Sequence, residues 1–143
     1  MLSALLLGGC ASSGPAGDAS ITSSLVGRFA PGAGPHDRAS KSILAAMGEG
    51  LVGGAFTSPL AEGDRVRALE AEYQALEYSP AGKVVTWKGE SGDPSGEVIA
   101  YQPYRVGSQD CRQYVHKVSY AGQSRSVGGT ACRNEDGSWT PLG

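Results

Sequence analysis

The sequence is short of the side chains that chemistry most often needs, with two histidines, three cysteines and two methionines in 143 residues. A metal site takes several His, Cys or carboxylate ligands at compact spacing, and no such cluster stands out. Serines, His36 or His116, and Asp93 or Asp110 supply a Ser-His-Asp set on paper, yet no Gly-x-Ser-x-Gly elbow supports it. Cys111 and His116 lie five residues apart on one predicted strand, so their side chains face opposite ways and cannot share a proton. The chain is therefore read as non-enzymatic, with no catalytic residue, metal or cofactor. It also lacks an excess of positive charge: 12 Lys and Arg against 14 Asp and Glu leave a formal net charge of -2. A nucleic-acid binder shows a basic patch with aromatics, so nucleic acid is not expected as a partner. After the first residues no apolar run reaches the roughly 20 residues of a membrane-spanning helix.

What is present begins at the N-terminus. Leu5-Leu6-Leu7-Gly8-Gly9-Cys10, followed by the polar Ala11-Ser12-Ser13-Gly14-Pro15, resembles the lipobox of a bacterial lipoprotein. In such a signal the small residues give the processing enzymes access to the backbone, and the thiol takes a diacylglycerol and becomes the mature N-terminus. Residues 1–9 are read as this signal and Cys10 as the lipidation site, so the first partner is a membrane, reached through acyl chains on Cys10. Met1-Leu2-Ser3 carries no positive charge, and the apolar core is shorter than the roughly 7 to 15 residues of a secretory signal. The natural start is accordingly expected upstream. Ala11 rather than Asp follows the cysteine, which under the usual lipoprotein sorting pattern favours the outer membrane.

Cysteine parity points to the same compartment. Three cysteines in an exported chain leave one odd thiol; lipidation of Cys10 removes the oddity and leaves Cys111 and Cys132 to pair where disulfides persist.

Residues 10–42 are rich in Gly, Ser, Pro and Ala without a sustained apolar period, and read as a flexible tether. Residues 43–57 are apolar, with Gly50 and Gly54 at the spacing that lets helices approach closely in membranes. One reading is a short glycine zipper touching lipid or a sister chain. The other is a flexible or partly helical connector, since each glycine costs a helix about 1 kcal/mol relative to Ala and Glu49 is expensive in a bilayer.

Residues 58–143 form the expected domain. Ser58-Pro59 offers an N-cap and first-turn proline, and Gly63 leaves a second start at Asp64. Val66, Leu69, Tyr73 and Leu76 recur at helical spacing, and Arg67, Glu70, Glu72 and Glu77 are placed on the solvent face. Ser79-Pro80-Ala81-Gly82 ends the helix. Short strands follow at Val84–Trp87, Val98–Val106, Arg112–Tyr120, Arg125–Arg133 and Trp139–Leu142, and Pro103 implies an edge or a bulge. The fold class is α+β: one amphipathic helix, then a small antiparallel β-sheet meander stapled by a disulfide. A two-residue turn at Ala121-Gly122 pairs residues whose numbers sum to 243, so Cys111 faces Cys132. Alternation of pair types puts the two at a non-hydrogen-bonded site with Cα atoms about 4.5 Å apart, within reach of a disulfide. The weak point is Ala121, because such a turn prefers Asn-Gly or Asp-Gly.

Several segments carry a family resemblance. They are Asp64-Arg65, Ala68-Leu69-Glu70 and Ala75-Leu76-Glu77 in the helix, Val85-Thr86-Trp87, Asp110-Cys111-Arg112-Gln113-Tyr114, and Gly129-Thr130-Ala131-Cys132-Arg133 running into Asn134-Glu135-Asp136-Gly137-Ser138-Trp139. Together they resemble the 17-kDa rickettsial surface antigen family of outer-membrane lipoproteins. The resemblance implies a lipid-anchored envelope protein without assigned enzymatic activity or cofactor, whose glycine zipper is here abbreviated and interrupted by Glu49.

The aromatics Trp87, Tyr101, Tyr104, Tyr114, Tyr120 and Trp139 are expected mostly in the core. Arg105, Arg112, Arg125 and Arg133 are expected as solvated residues flanking the sheet. A candidate interaction face for an envelope protein or polymer combines Arg112, Tyr114, His116 and Trp139. His116 lies on the face of Tyr114, Val118 and Tyr120, either as a ligand-touching, pH-sensitive group or as a histidine packed among aromatics.

Overall fold

A computed structural model describes residues 35–55 and 60–142. The lipobox with Cys10, the first part of the tether and Ser58-Pro59 lie outside these residues.

Helix α1 spans Pro35–Met47, a single helical turn α2 spans Val52–Ala55, and α3 spans Glu62–Glu77. Six strands follow: β1 Val84–Lys88, β2 Ser95–Ala100, β3 Tyr104–Val106, β4 Gln109–Tyr120, β5 Gln123–Arg133 and β6 Trp139–Leu142. All pairs are antiparallel, in the order β1-β2-β4-β5-β6, with β3 beside the start of β4. The α+β meander expected from the sequence is thus the fold.

Helix α3 lies on one face of this sheet. Val66, Leu69 and Leu76 are buried at helical spacing, and buried Ala68, Ala71 and Ala75 keep the intervening positions small, so the helix backbone approaches the strands closely. The strands supply alternate residues to the same core: Trp87, Val98, Ala100, Tyr114, Val118, Ala131 and Trp139. The α3 start differs from the expected cap at Ser58. Leu60 and Ala61 are non-helical, the helix begins at Glu62, and Ala61 makes no side-chain cap bond. Glu62 and Asp64 in the first turn complement the helix dipole instead.

The expected strand Val98–Val106 is broken into β2 and β3. Pro103 has no N–H to give to the ladder, and residues 101–103 leave regular pairing after Tyr101 donates to the Gln113 carbonyl at 2.8 Å.

The larger correction concerns the tether and the glycine-rich segment. Helix α1 begins at Pro35, inside the stretch read as tether, and buries Ile43 and Met47, one turn apart, in the core. Val52 is buried as well. Gly50 and Gly54 do not share a helix: Gly50 lies in a turn at φ +57°, and Gly54 in the four-residue α2. A Cβ at Gly50 would collide with the carboxylate of Glu72 and with Leu69. This glycine is therefore required by a close approach within the domain, and the zipper reading does not fit it.

The register is the one expected. Tyr120 pairs with Gln123 and, ten pairs along, Cys111 with Cys132. The two cysteines are disulfide-bonded with Cα atoms 4.0 Å apart. Ala121 takes the left-handed conformation that the turn demands, φ 50°, beside Gly122 at φ 76°. Its N–H donates to Asp93 Oδ2 at 3.2 Å, an anchor that suits a residue poorly matched to the turn.

Candidate functional site

The centre of the domain holds three polar groups. Trp87 crosses over Gly96, its cross-strand partner, where any side chain would strike the indole, and its Nε1 donates to Nε2 of His116 at 2.8 Å. Since the indole N–H only donates, Nε2 accepts and Nδ1 carries the proton. Nδ1 stands 2.6 Å from Glu72 Oε1 and donates to it. The Glu72 carboxylate also accepts the N–H groups of Leu51 and Val52, both at 3.0 Å. Glu72 is 0% and His116 1% exposed, so this buried carboxylate is held by three N–H donors, as burial requires. Glu72 was expected on the solvent face. It lies three residues after Leu69 and four before Leu76, in the middle of the buried stripe, and that spacing is the signal that would have found it. Tyr114 is likewise buried, its hydroxyl without a hydrogen-bond partner. Burial, with the Glu72 charge second, pushes its pKa well above the usual phenol range.

The other end of α3 is fixed by two arginines. Arg112 Nη1 donates to the carbonyls of Ala75, Leu76 and Ser79, at 3.0, 2.7 and 3.1 Å, and its Nε to that of Tyr101 at 2.8 Å. The guanidinium thus satisfies the orphan carbonyls of a helix C-terminus, where positive charge is also favoured by the dipole. Burial lowers its pKa from the ordinary arginine value. Arg133 grips Glu77 by Nε and Nη2 at 2.9 to 3.2 Å, and Trp139 Nε1 adds a third contact at 2.8 Å. The Arg133 hydrogen bonds hold the Glu77 carboxyl below the usual range, helped by Trp139 and opposed by burial. Tyr73 completes the junction by donating to the Gly137 carbonyl at 3.2 Å.

The proposed interaction face of Arg112, Tyr114, His116 and Trp139 is therefore an interior face. All four are buried, because even-numbered residues of β4 and odd-numbered residues of β6 point at α3. Tyr120 shares the parity of His116 but lies beyond the helix and is exposed. The aromatics divide accordingly: Trp87, Tyr114 and Trp139 are core, whereas Tyr101, Tyr104 and Tyr120 are exposed. Of the arginines expected to be solvated, Arg112 is buried, Arg105 pairs with Asp110 at 3.0 Å, and Arg125 is exposed.

The opposite face of the sheet has no helix over it among the described residues. Register lays its side chains in rows across the strands. Val84, Ile99, Val115 and Gly128 form one row. Tyr101, Gln113, Thr130 and Leu142 form the next, and Tyr104, Cys111, Cys132 and Thr140 a third. None of these residues is charged. The next row toward the Ala121-Gly122 turn, Thr86, Glu97, Lys117 and Ser126, brings the charges.

Chemically, the buried centre is closed. Trp87 occupies the imidazole nitrogen that a general base would use, and Glu72 and His116 are fully buried. Among the described residues no group of three or more His, Cys, Asp or Glu is placed to hold a metal ion, and no helix is long and apolar enough to cross a membrane. An open cleft of about 590 Å³ lies between the β3–β4 and β5–β6 turns, lined by Asp110, Arg133, Asn134, Glu135 and Asp136 among others. Its charges are largely spoken for: Asp110 by Arg105, Arg133 by Glu77, and Asp136 by Ser138, whose hydroxyl and N–H lower the Asp136 pKa.

Residues 74–140, from the last turn of α3 through the sheet, match the family described as 17 kDa outer membrane surface antigen. The match covers 67 of the 143 residues, so it is this region that resembles the 17 kDa surface antigen family. Similar curated proteins are the 17 kDa surface antigens of Rickettsia bellii and Rickettsia rickettsii, each 35% identical over 79 residues, and of Rickettsia prowazekii, 38% identical over 80 residues. Each alignment covers 54% of this chain and 50% of the relative, so the chain spans about half the length of the curated relatives it matches. No solved structure matches it. The relatives are named as antigens and not as enzymes. Within the matched region, the Cys-Arg-Gln-Tyr and Ala-Cys-Arg segments and the Asp-Gly-Ser-Trp turn are the disulfide, the helix cap and the Glu77 junction. The segments that carry the resemblance are those that close the domain.

Proposed function

We propose that this protein is a lipid-anchored, non-enzymatic surface antigen of the bacterial outer membrane, with a structural or interaction role in the envelope. The carrying observation is cysteine usage within a surface antigen domain: Cys111 and Cys132 take each other. The third cysteine of the sequence is Cys10, at the end of Leu5-Leu6-Leu7-Gly8-Gly9. The names of the relatives support an envelope location. A diacylated cysteine supplies two chains, and two signals are what stable membrane attachment takes.

The test is the intact mass of the mature protein from a membrane fraction, before and after reduction and alkylation. The proposal requires two or three acyl chains on Cys10, with two thiols appearing only on reduction. An unmodified mature chain that fractionates as soluble would overturn it. The second reading is a binding or inhibitor module that docks an envelope protein or cell-wall ligand through its sheet. It is favoured by the uncovered outer face, and its contacts move from the buried Arg112 and Tyr114 to exposed residues such as Tyr104.

A further inference from the structure

We propose that the uncharged half of the outer sheet face is a binding site for an uncharged glycan chain. Three rows of four residues lie there without a charged side chain, in a protein whose next row carries Glu97 and Lys117. Tyr101, Tyr104 and Leu142 are 46%, 43% and 53% exposed, so large apolar surface is left in water on a face that strand register makes contiguous. With strands about 4.8 Å apart and same-face residues about 6.8 Å apart, twelve positions span about 400 Å² at most, with the buried disulfide of Cys111 and Cys132 among them.

Size and chemistry select the occupant. A standard protein–protein interface buries about 800 Å² on each partner, roughly twice what this patch offers, so a stable dimer or protein complex would have to cross into the charged row. A small extended ligand fits within it. The absence of charge excludes recognition of an ionic group, because nothing here pairs with one. What remains is flat aromatic surface beside uncharged hydrogen-bonding groups. The electron-rich faces of tyrosine rings attract the slightly positive C–H face of a pyranose. The Gln113 amide and the hydroxyls of Thr130 and Thr140 both donate and accept, as sugar hydroxyls do. The disulfide and the register beneath hold these groups on rigid strands, so little ordering opposes binding.

The experiment is isothermal titration of the full chain with chitohexaose and with cellohexaose, accompanied by amide chemical-shift mapping and sedimentation equilibrium. It reads the polypeptide and not the acyl chains, so its failure and failure of the anchor are distinguishable. The inference requires binding of at least one oligosaccharide, shifts confined to the outer face, and a loss of about tenfold in affinity for Tyr101→Ala or Tyr104→Ala. Lys117→Ala, one row beyond the patch, should bind as the parent does. Tyr101→Phe, which keeps the ring, guards against a variant that loses its fold. Absence of binding at millimolar sugar, or binding that both tyrosine substitutions leave intact, overturns it. So does a concentration-dependent dimer dissolved by Tyr104→Ala, which would make a second copy the occupant.

Discussion

The two faces of one sheet are built from the same strands and differ in almost every other respect. Toward α3, β4 presents Arg112, Tyr114, His116 and Val118, all buried, and each polar group but the Tyr114 hydroxyl has a partner. Away from it, the same strand presents Gln113, Val115 and Lys117, with no helix over them among the described residues. The inner face carries most of the chemistry-bearing side chains and none of the access. The outer face has access and, over half its area, no charge. The difference teaches that reactive residue types in a small domain are not by themselves a site: here they close a core around a buried carboxylate.

Substitutions on the two faces should therefore behave differently. The largest effect is expected for Glu72→Gln. One amide oxygen cannot serve three donors in place of a carboxylate, and the amide N–H₂ would face a donor, so unfolding in urea should show a loss of about 4 kcal/mol. Replacing Cys111 and Cys132 together by Ala removes a closed loop of 21 residues and should cost about 3 kcal/mol by the chain-entropy argument, read as a lower denaturation midpoint without reductant.

Glu77 gives a pH-dependent effect. Its folded pKa is depressed, chiefly by Arg133, so its contribution is complete above the unfolded value of about 4.3 and is lost as pH falls through the folded value. Glu77→Gln should melt below the parent at pH 7, and the gap should close as pH falls below the unfolded value and through the depressed folded one; a gap independent of pH would contradict the assignment. The smallest effect belongs to the outer face. Tyr101→Ala should change stability by no more than about 0.5 kcal/mol, and a loss comparable to that of Glu72→Gln would erase the distinction between the faces.

Much of this arrangement was legible in the sequence, for identifiable reasons. Register could be counted because the Ala121-Gly122 turn and the two cysteines constrain it from opposite ends. The strands and the stripe of α3 follow from periodicity. Polarity alone puts Glu72 on the solvent face, whereas positions 69, 72 and 76 lie on one buried stripe. Composition alone does not distinguish a flexible linker from a turn whose glycines make room for a carboxylate, as Gly50 does for Glu72. Arg112, Tyr114, His116 and Trp139 lie on one buried face, and nothing local in the sequence says which face a helix will cover. The roles of Arg112, His116 and Trp139 as helix cap and hydrogen-bond partners depend on residues 36, 44 and 62 positions away.

The inner face is a closed interior organised by Glu72, His116 and Trp87. Hydrogen exchange of the Trp87 indole N–H, followed by NMR in the native protein, tests this most directly. If Nε1 is bonded to His116 beneath α3, the proton exchanges only through large-scale opening, with a protection free energy close to that of global unfolding. Exchange at the rate of an exposed indole would mean that this face is open to solvent, and the division between the two faces would fall.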